Sequence, residues 1–176
     1  MLPFTSRMAL AGLAAALLAA PGVLAQTAPK EASKAIRSDE GKYFDANEIP
    51  TYNIKADGIV DWFTFSGYRR FHAECHVCHG PDGLGSTYAP SLVESMRRLD
   101  YAQFMDAVVN GRKNVGSGKE SVMPALGENK NVMCYIDDLY IYLRARADGA
   151  LDRGRPAKRE DKPASVNASE QSCMSG

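Results

Sequence analysis

The sequence predicts an all-α fold built on three main helices. Three stretches carry that prediction. Gly67, Phe71, Cys75 and Cys78 lie at i, i+4, i+8 and i+11, one narrow stripe at about 100° per residue. Tyr101, Phe104, Met105, Val108 and Val109 repeat at i, i+3, i+4, i+7 and i+8. Val132, Tyr135, Ile136, Leu139, Tyr142 and Leu143 keep helical spacing as well.

The ends of these helices are readable. In the first, Gly67 marks either the helix start or the close approach of a second helix. A glycine inside a helix costs about 1 kcal/mol against alanine, so close approach is the better reason to keep it there. The second is capped by Asp100 and stopped by Gly111. The third is expected to start at an Asn131 cap and stop at Gly149. Arg144 and Arg146 fall in its last turn, where cations suit the helix dipole. Between the first and second helices, "GPDGLGSTYAPSL" is a loop by its glycines and prolines.

The chain starts with Arg7, the uncharged apolar run 8–20 and a Pro-Gly pair, followed by small residues. That is the pattern of a secretory signal peptide, residues 1–25, cut after Ala25. The run is shorter than the roughly 20 residues a membrane span needs, so no membrane anchor is expected. Beyond it we expect an N-terminal arm at 26–63, a core domain at 64–147 and a C-terminal tail at 148–176. Lys and Arg total 21 against 21 Asp and Glu, a balance that points away from nucleic acid or anionic membrane. An exported chain meets an oxidising compartment, here the periplasm.

The stretch "FHAECHVCHG" holds Cys75, Cys78 and His79. Zinc would need more ligands, and Cys134 and Cys173 do not form a second C-x-x-C. A redox dithiol would need a strand before Cys75, and no β-branched run is present. Covalent haem fits best. The two thiols at i and i+3 share a helical face and add to the haem vinyls, and the adjacent imidazole ligates the iron. A rigid loop at Pro90 is a natural source of the carbonyl that orients His79. For the sixth ligand, Met105 reads as core, and Met96, Met133 and Met174 are badly placed. Met123, read as a loop residue held extended by Pro124, can reach the opposite haem face. His72 shares the proximal helix, and His76 should point away.

G-x-x-x-F-x-x-x-C-x-x-C-H-G, A-P-x-L, M-P and D-L-x-x-Y-L, spread over about residues 65–147, together resemble class I cytochromes c. The resemblance implies thioethers at Cys75 and Cys78, axial ligands His79 and Met123, and a Pro90 carbonyl on His79. It also implies that Gly67 and Phe71 meet Leu139 and Tyr142 where the first and last helices cross. The flanking "IPTYNIKADGIVDWF" and "RADGALDRGRP", with four cysteines in the mature chain, resemble the methanol-metabolism-related c-type cytochromes. That resemblance implies a PQQ-dependent methanol or alcohol dehydrogenase, including lanthanide-dependent ones, as electron donor. The acceptor would be another cytochrome c or a terminal oxidase.

Cys134 falls off the apolar stripe and Cys173 lies in a polar tail. In an oxidising compartment the simplest outcome is that they pair. The tail would then be pinned over the core. Residues 43–63 carry enough aromatics to pack as an arm around it. The expected protein is a monomeric, monohaem electron carrier and not an enzyme. The alternatives are a permanent haem subunit of a dehydrogenase complex, or a haem enzyme with an open site. Arg69, Arg70, Arg97, Arg98, Arg112 and Lys113 are candidates for steering an acidic partner.

Overall fold

The computed structural model describes residues 33–116 and 119–176. The expected signal peptide lies outside the described residues. Helices dominate: α1 Trp62–Glu74, α2 His76–His79, α3 Leu92–Met96, α4 Tyr101–Asn110, α5 Lys130–Met133, α6 Ile136–Ala147 and α7 Ala164–Ser175. Short strands decorate them: β1 Arg37–Asp39, β2 Lys42–Phe44, β3 Pro50–Thr51, β4 Ile59–Val60, β5 Arg112–Gly116, β6 Lys119–Met123 and β7 Lys158–Arg159. The helical prediction holds, with these strands in addition. Among the described residues, no helix is long and apolar enough to cross a membrane.

Helix α1 starts at Trp62, five residues before Gly67, because Asp61 caps it. The Asp61 carboxylate accepts from the Thr64 N–H at 2.8 Å and the Thr64 hydroxyl at 2.6 Å. It also accepts from the Asn53 N–H at 2.8 Å, which ties the preceding arm to the helix start. Gly67 is therefore interior, and it marks the crossing with α6. A Cβ there would lie 2.6 Å from the Asp138 carbonyl carbon and 2.7 Å from Tyr142 Cβ. One turn on, the Phe71 and Tyr142 rings pack at 5.5 Å between centroids. Phe71, Leu139 and Tyr142 are all core residues.

Helix α4 follows its prediction. Asp100 accepts from the Gln103 N–H at 2.8 Å, and Gln103 returns the bond to the Asp100 N–H at 3.1 Å. Gly111 ends it at φ 70°. The last predicted helix is instead two. Asn129, not Asn131, is the cap, and its side chain accepts from the Asn131 N–H at 2.9 Å. α5 stops at Met133, and Tyr135 at φ −131°, ψ 22° breaks the helix before α6 begins. The Met123 segment also differs from the loop expected. Met123 is extended, as Pro124 requires, but it ends β6 and pairs with Arg112 in an antiparallel hairpin.

The arm and tail both pack on the helices. Strands β1, β2 and β3 form a small antiparallel sheet. Lys42 Nζ reaches Asp137 at 2.7 Å, and the Tyr52 hydroxyl donates to Asp148 at 3.1 Å, so the arm grips α6 near both ends. In the tail, β7 pairs in parallel with β4. The Arg159 guanidinium lies 4.9 Å from the Trp62 ring centroid and 5.1 Å from that of Phe65. Helix α7, which the polar tail sequence did not announce, buries Val166. It is bonded to α5 by the Cys134–Cys173 disulfide, with Cα atoms 5.8 Å apart.

Two predictions follow from this packing. Burial pushes the Asp138 carboxyl up to about 7, against the opposing influence of Ser66 and Lys42. The native state thus holds a proton that the unfolded chain has released between about pH 4 and 7, and stability falls as pH rises through that window. Asp138→Asn should gain stability over the parent on going from pH 5 to pH 8, by at most about 3 kcal/mol. Thermal melts at the two pH values check it, and a pH-independent difference would exclude ionisation as the cause. Separately, replacing Cys134 and Cys173 with serine should cost about 4 kcal/mol in guanidinium unfolding, the chain entropy of a loop of about 40 residues.

Candidate functional site

The C-x-x-C-H residues occupy a sharp break in one helical path. Cys75 ends α1, with its N–H on the Phe71 carbonyl at 2.9 Å. α2 restarts at His76, and the His79 N–H reaches the Cys75 carbonyl at 3.0 Å. One turn therefore carries both thiols and the imidazole. Cys75 and Cys78 are free thiols, while the other two cysteines are bonded to each other. Cys78 is exposed and His79 is only 7% exposed.

His79 Nδ1 lies 3.0 Å from the Pro90 carbonyl oxygen. A carbonyl only accepts, so Nδ1 carries the proton and Nε2 keeps its lone pair. That is the tautomer a metal ligand needs. The loop 80–91 is held in place to present this carbonyl. Gly80 turns at φ 73°, and the Gly85 N–H donates to the His79 carbonyl at 2.7 Å. The Ser86 hydroxyl donates to the Cys78 carbonyl, and the Tyr88 N–H donates to Ser86 Oγ at 3.0 Å. Ser91 caps α3 by accepting from the Glu94 N–H at 3.2 Å, and it donates to the Gly83 carbonyl at 3.2 Å.

Asp82 anchors the same loop to the tail. It sits at φ 59°, a left-handed conformation that Asp tolerates. Its carboxylate is buried, accepting from the Gly154 N–H at 3.0 Å and Arg153 Nε at 3.3 Å. Burial opposes its ionisation. The Gly154 N–H, Arg153, Arg146 and His72 outweigh that and hold its pKa below the usual carboxylate value. Sequence reasoning missed Asp82, Ser86 and Ser91. The "PDG" turn signal was available for Asp82, but the carbonyls met by the two serines are set by tertiary contact alone.

The remaining predicted residues fall as follows. Gly67 and Phe71 pack against Tyr142, as described. Met123 is half-buried against the core. His72 Nδ1 is bound to the Tyr68 carbonyl at 2.9 Å, and His76 stacks on His72 with centroids 5.7 Å apart. Trp62 packs under Arg159 and Lys162 at the far end of α1 from the motif.

The geometry separates the three chemistries that C-x-x-C-H allows. A redox dithiol needs a thiol with a depressed pKa, whereas burial pushes Cys75 up to about 12. Among the described residues, no three His, Cys, Asp or Glu side chains gather to hold an ion, as zinc would require. Two thiols on one turn beside an oriented imidazole fit covalent haem.

Comparison with known proteins agrees. No family model matches the chain. It is 57% identical over 138 residues to cytochrome c-553I of Paracoccus denitrificans, covering 78% of this chain and 61% of that protein. The chain thus spans about three fifths of that relative's length. It is 36% identical over 100 residues to cytochrome c-555 of Methylococcus capsulatus (strain ATCC 33009 / NCIMB 11132 / Bath), covering 56% of this chain and 75% of that one. The crystal structure of the c-type cytochrome XoxG from Methylobacterium extorquens AM1 superposes with a TM-score of 0.77 at 53% identity. It covers 87% of this chain and 94% of XoxG. The chain belongs to the class I c-type cytochromes.

The Asp82 anchor is testable. A depressed carboxylate pKa contributes stability that is present above about pH 4 and lost as pH falls through the folded value. Asp82→Asn keeps the turn conformation but loses the charge. It should destabilise by about 1.5–3 kcal/mol in urea unfolding at pH 7. The gap to the parent should close below about pH 4.

Proposed function

We propose that this protein is a periplasmic monohaem c-type cytochrome that carries single electrons. On this reading its donor is a PQQ-dependent methanol or alcohol dehydrogenase, and its acceptor is another cytochrome c or a terminal oxidase. The observation that carries the reading is the His79 Nδ1–Pro90 carbonyl bond at 3.0 Å beside two free thiols on one turn. Cys75 and Cys78 would form the thioethers, and His79 and Met123 the axial ligands. When bound, the haem supplies a one-electron ferric/ferrous couple. This chain's residues do the rest. Pro90 orients the imidazole and adds to its basicity. Burial of His79 keeps water from the proximal side. Met123 as the second iron ligand would raise the potential relative to a second histidine.

The methanol link rests on the flanking motifs around residues 49–63 and 146–156 and on the likeness to XoxG. A secretory signal at 1–25 supports the periplasm, where haem attachment takes place.

Rapid mixing tests both levels. The oxidised holoprotein, mixed with a quinone-dependent methanol dehydrogenase and methanol, should show α-band growth that requires enzyme and alcohol together. A haem that reduces with ascorbate but ignores this pair would remove the methanol link and leave the carrier. Met123→Ala should open the iron to carbon monoxide in the ferrous state. An unaltered six-coordinate spectrum in that variant would exclude Met123 as ligand.

A further inference from the structure

The tail lays two cations on one ring. The Arg155 guanidinium lies 5.3 Å from the Phe65 ring centroid, and that of Arg159 lies 5.1 Å from the same centroid. Phe65 and Trp62 are buried beneath them, while Arg155 and Arg159 are themselves exposed. Stacking fixes the plane of a guanidinium and leaves its N–H edge available. Arg159 uses part of that edge on the Glu160 carbonyl at 3.0 Å. Arg69, also exposed, stands on the same side of α1, at i+4 from Phe65 and i+7 from Trp62. That side is about 160° around the helix from Phe71 and so faces away from the stripe that leads to Cys75.

Like charges held this close repel, and a carboxylate between them would offset the repulsion. Among the described residues no carboxylate pairs with Arg69, Arg155 or Arg159. The acids around them are engaged elsewhere. Glu160 bonds Lys55 at 2.9 Å, Glu170 bonds Lys162 at 2.6 Å, and Asp82 takes Arg153 at 3.3 Å. Asp152 and Asp161 are exposed in the same tail, and neither pairs with the stack. Other surface arginines do have acids: Arg37 has Glu48 at 2.6 Å, Arg97 has Glu94 at 3.0 Å and Arg112 has Asp106 at 2.7 Å. In a chain with 21 basic and 21 acidic residues, the Phe65 stack is a local surplus of positive charge.

We infer that Arg155, Arg159 and Arg69 bind an acidic segment of a partner protein, on the side of α1 turned away from the C-x-x-C-H stripe. Guanidinium edges suit carboxylates, which they can meet through two parallel N–H bonds. The spacing suits a polypeptide. Phe65, which carries the stacked pair, and Arg69 are four helical residues apart, about 6 Å along the axis. Carboxylates on alternate residues of an extended chain lie on one face about 6.6 Å apart. A single free anion would engage the stacked pair and leave Arg69. A membrane fits less well, because Trp62 and Phe65 are 7% and 5% exposed and offer no apolar side chain to insert beside the charges. A segment held here leaves Cys78 exposed and keeps the two proteins at a raised local concentration. Such a tether is independent of which protein supplies the electron.

The test titrates a peptide with glutamate at every second position into the haem-loaded protein, reduced with ascorbate, and follows its nuclear magnetic resonance spectrum. Trp62 is the only tryptophan, so its indole N–H resonance is assigned at once and reports on Arg159 above it. That resonance and the arginine Nε–H resonances should shift and saturate, and a peptide with glutamine in place of glutamate should shift neither. Raising salt from about 20 mM to about 300 mM should weaken binding about tenfold or more. Arg155→Gln and Arg159→Gln should each weaken it about fivefold, and Arg69→Gln about threefold. Arg69 has no ion pair within the chain, so its variant tests the surface even if the tail variants loosen the fold. Absence of any shift with the acidic peptide, or an affinity unchanged in Arg69→Gln, would overturn the assignment. So would inorganic phosphate binding as tightly as the peptide, which would make this a free-anion site. Uptake by phosphatidylglycerol vesicles that is lost in Arg155→Gln would also overturn it and give the patch to a membrane.

Discussion

The contact between Gly67 and the backbone of α6 at Asp138 sets the frame for everything else. With no side chain at Gly67, α1 and α6 cross at backbone distance, and Phe71 comes against Tyr142 one turn later. α1 runs unbroken from that crossing to Glu74, so the crossing fixes where Cys75 stands. The same closeness buries Asp138, whose carboxyl shifts to about 7 because water is excluded. A tight crossing and a buried acid are thus two consequences of one missing side chain.

From Cys75 onward the constraint passes to a loop with little regular structure. Its order comes from groups bonded to the motif itself: the Gly85 N–H to His79, the Ser86 hydroxyl to Cys78, and the Pro90 carbonyl to the imidazole. Each bond joins the residues that would hold the haem to the loop that shapes its proximal side. Asp82 extends this network to the tail, and Arg146, buried near the end of α6, donates to the Asp82 carbonyl at 3.4 Å and to the Leu151 carbonyl at 2.6 Å. The site is therefore braced by the end of the helix whose middle makes the crossing.

The sequence was legible where one local pattern decides the outcome. The α4 stripe, its Asp100 box and its Gly111 stop are such cases, and so is the spacing of Cys75, Cys78 and His79. The Pro90 contact was legible because a metal-bound imidazole needs an acceptor and only a rigid loop passes near. Legibility failed where partners are distant in sequence. The break at Tyr135 interrupts an unbroken apolar stripe, so periodicity alone ran the helix through it. The β5–β6 pairing depends on Arg112 meeting Met123 across a turn. α7 has a polar sequence whose helix is stabilised by Val166 and by the bond to Cys134. Three of the arginines read as steering candidates, Arg70, Arg97 and Arg112, are bound to Tyr135, Glu94 and Asp106, contacts with no one-dimensional signature.

The distribution of the added segments explains why one face stays bare. A core domain of fewer than about 90 residues buries limited apolar surface by itself. The arm and tail add burial at the Trp62 end of α1, where β7, Arg159 and α7 cover Trp62 and Phe65 and bring Val166 into the core. The tail reaches the opposite end through Asp82, on the buried side of its loop, and through the disulfide to α5. Covering the Cys78 face in the same way would gain stability but close the approach to the proposed redox centre.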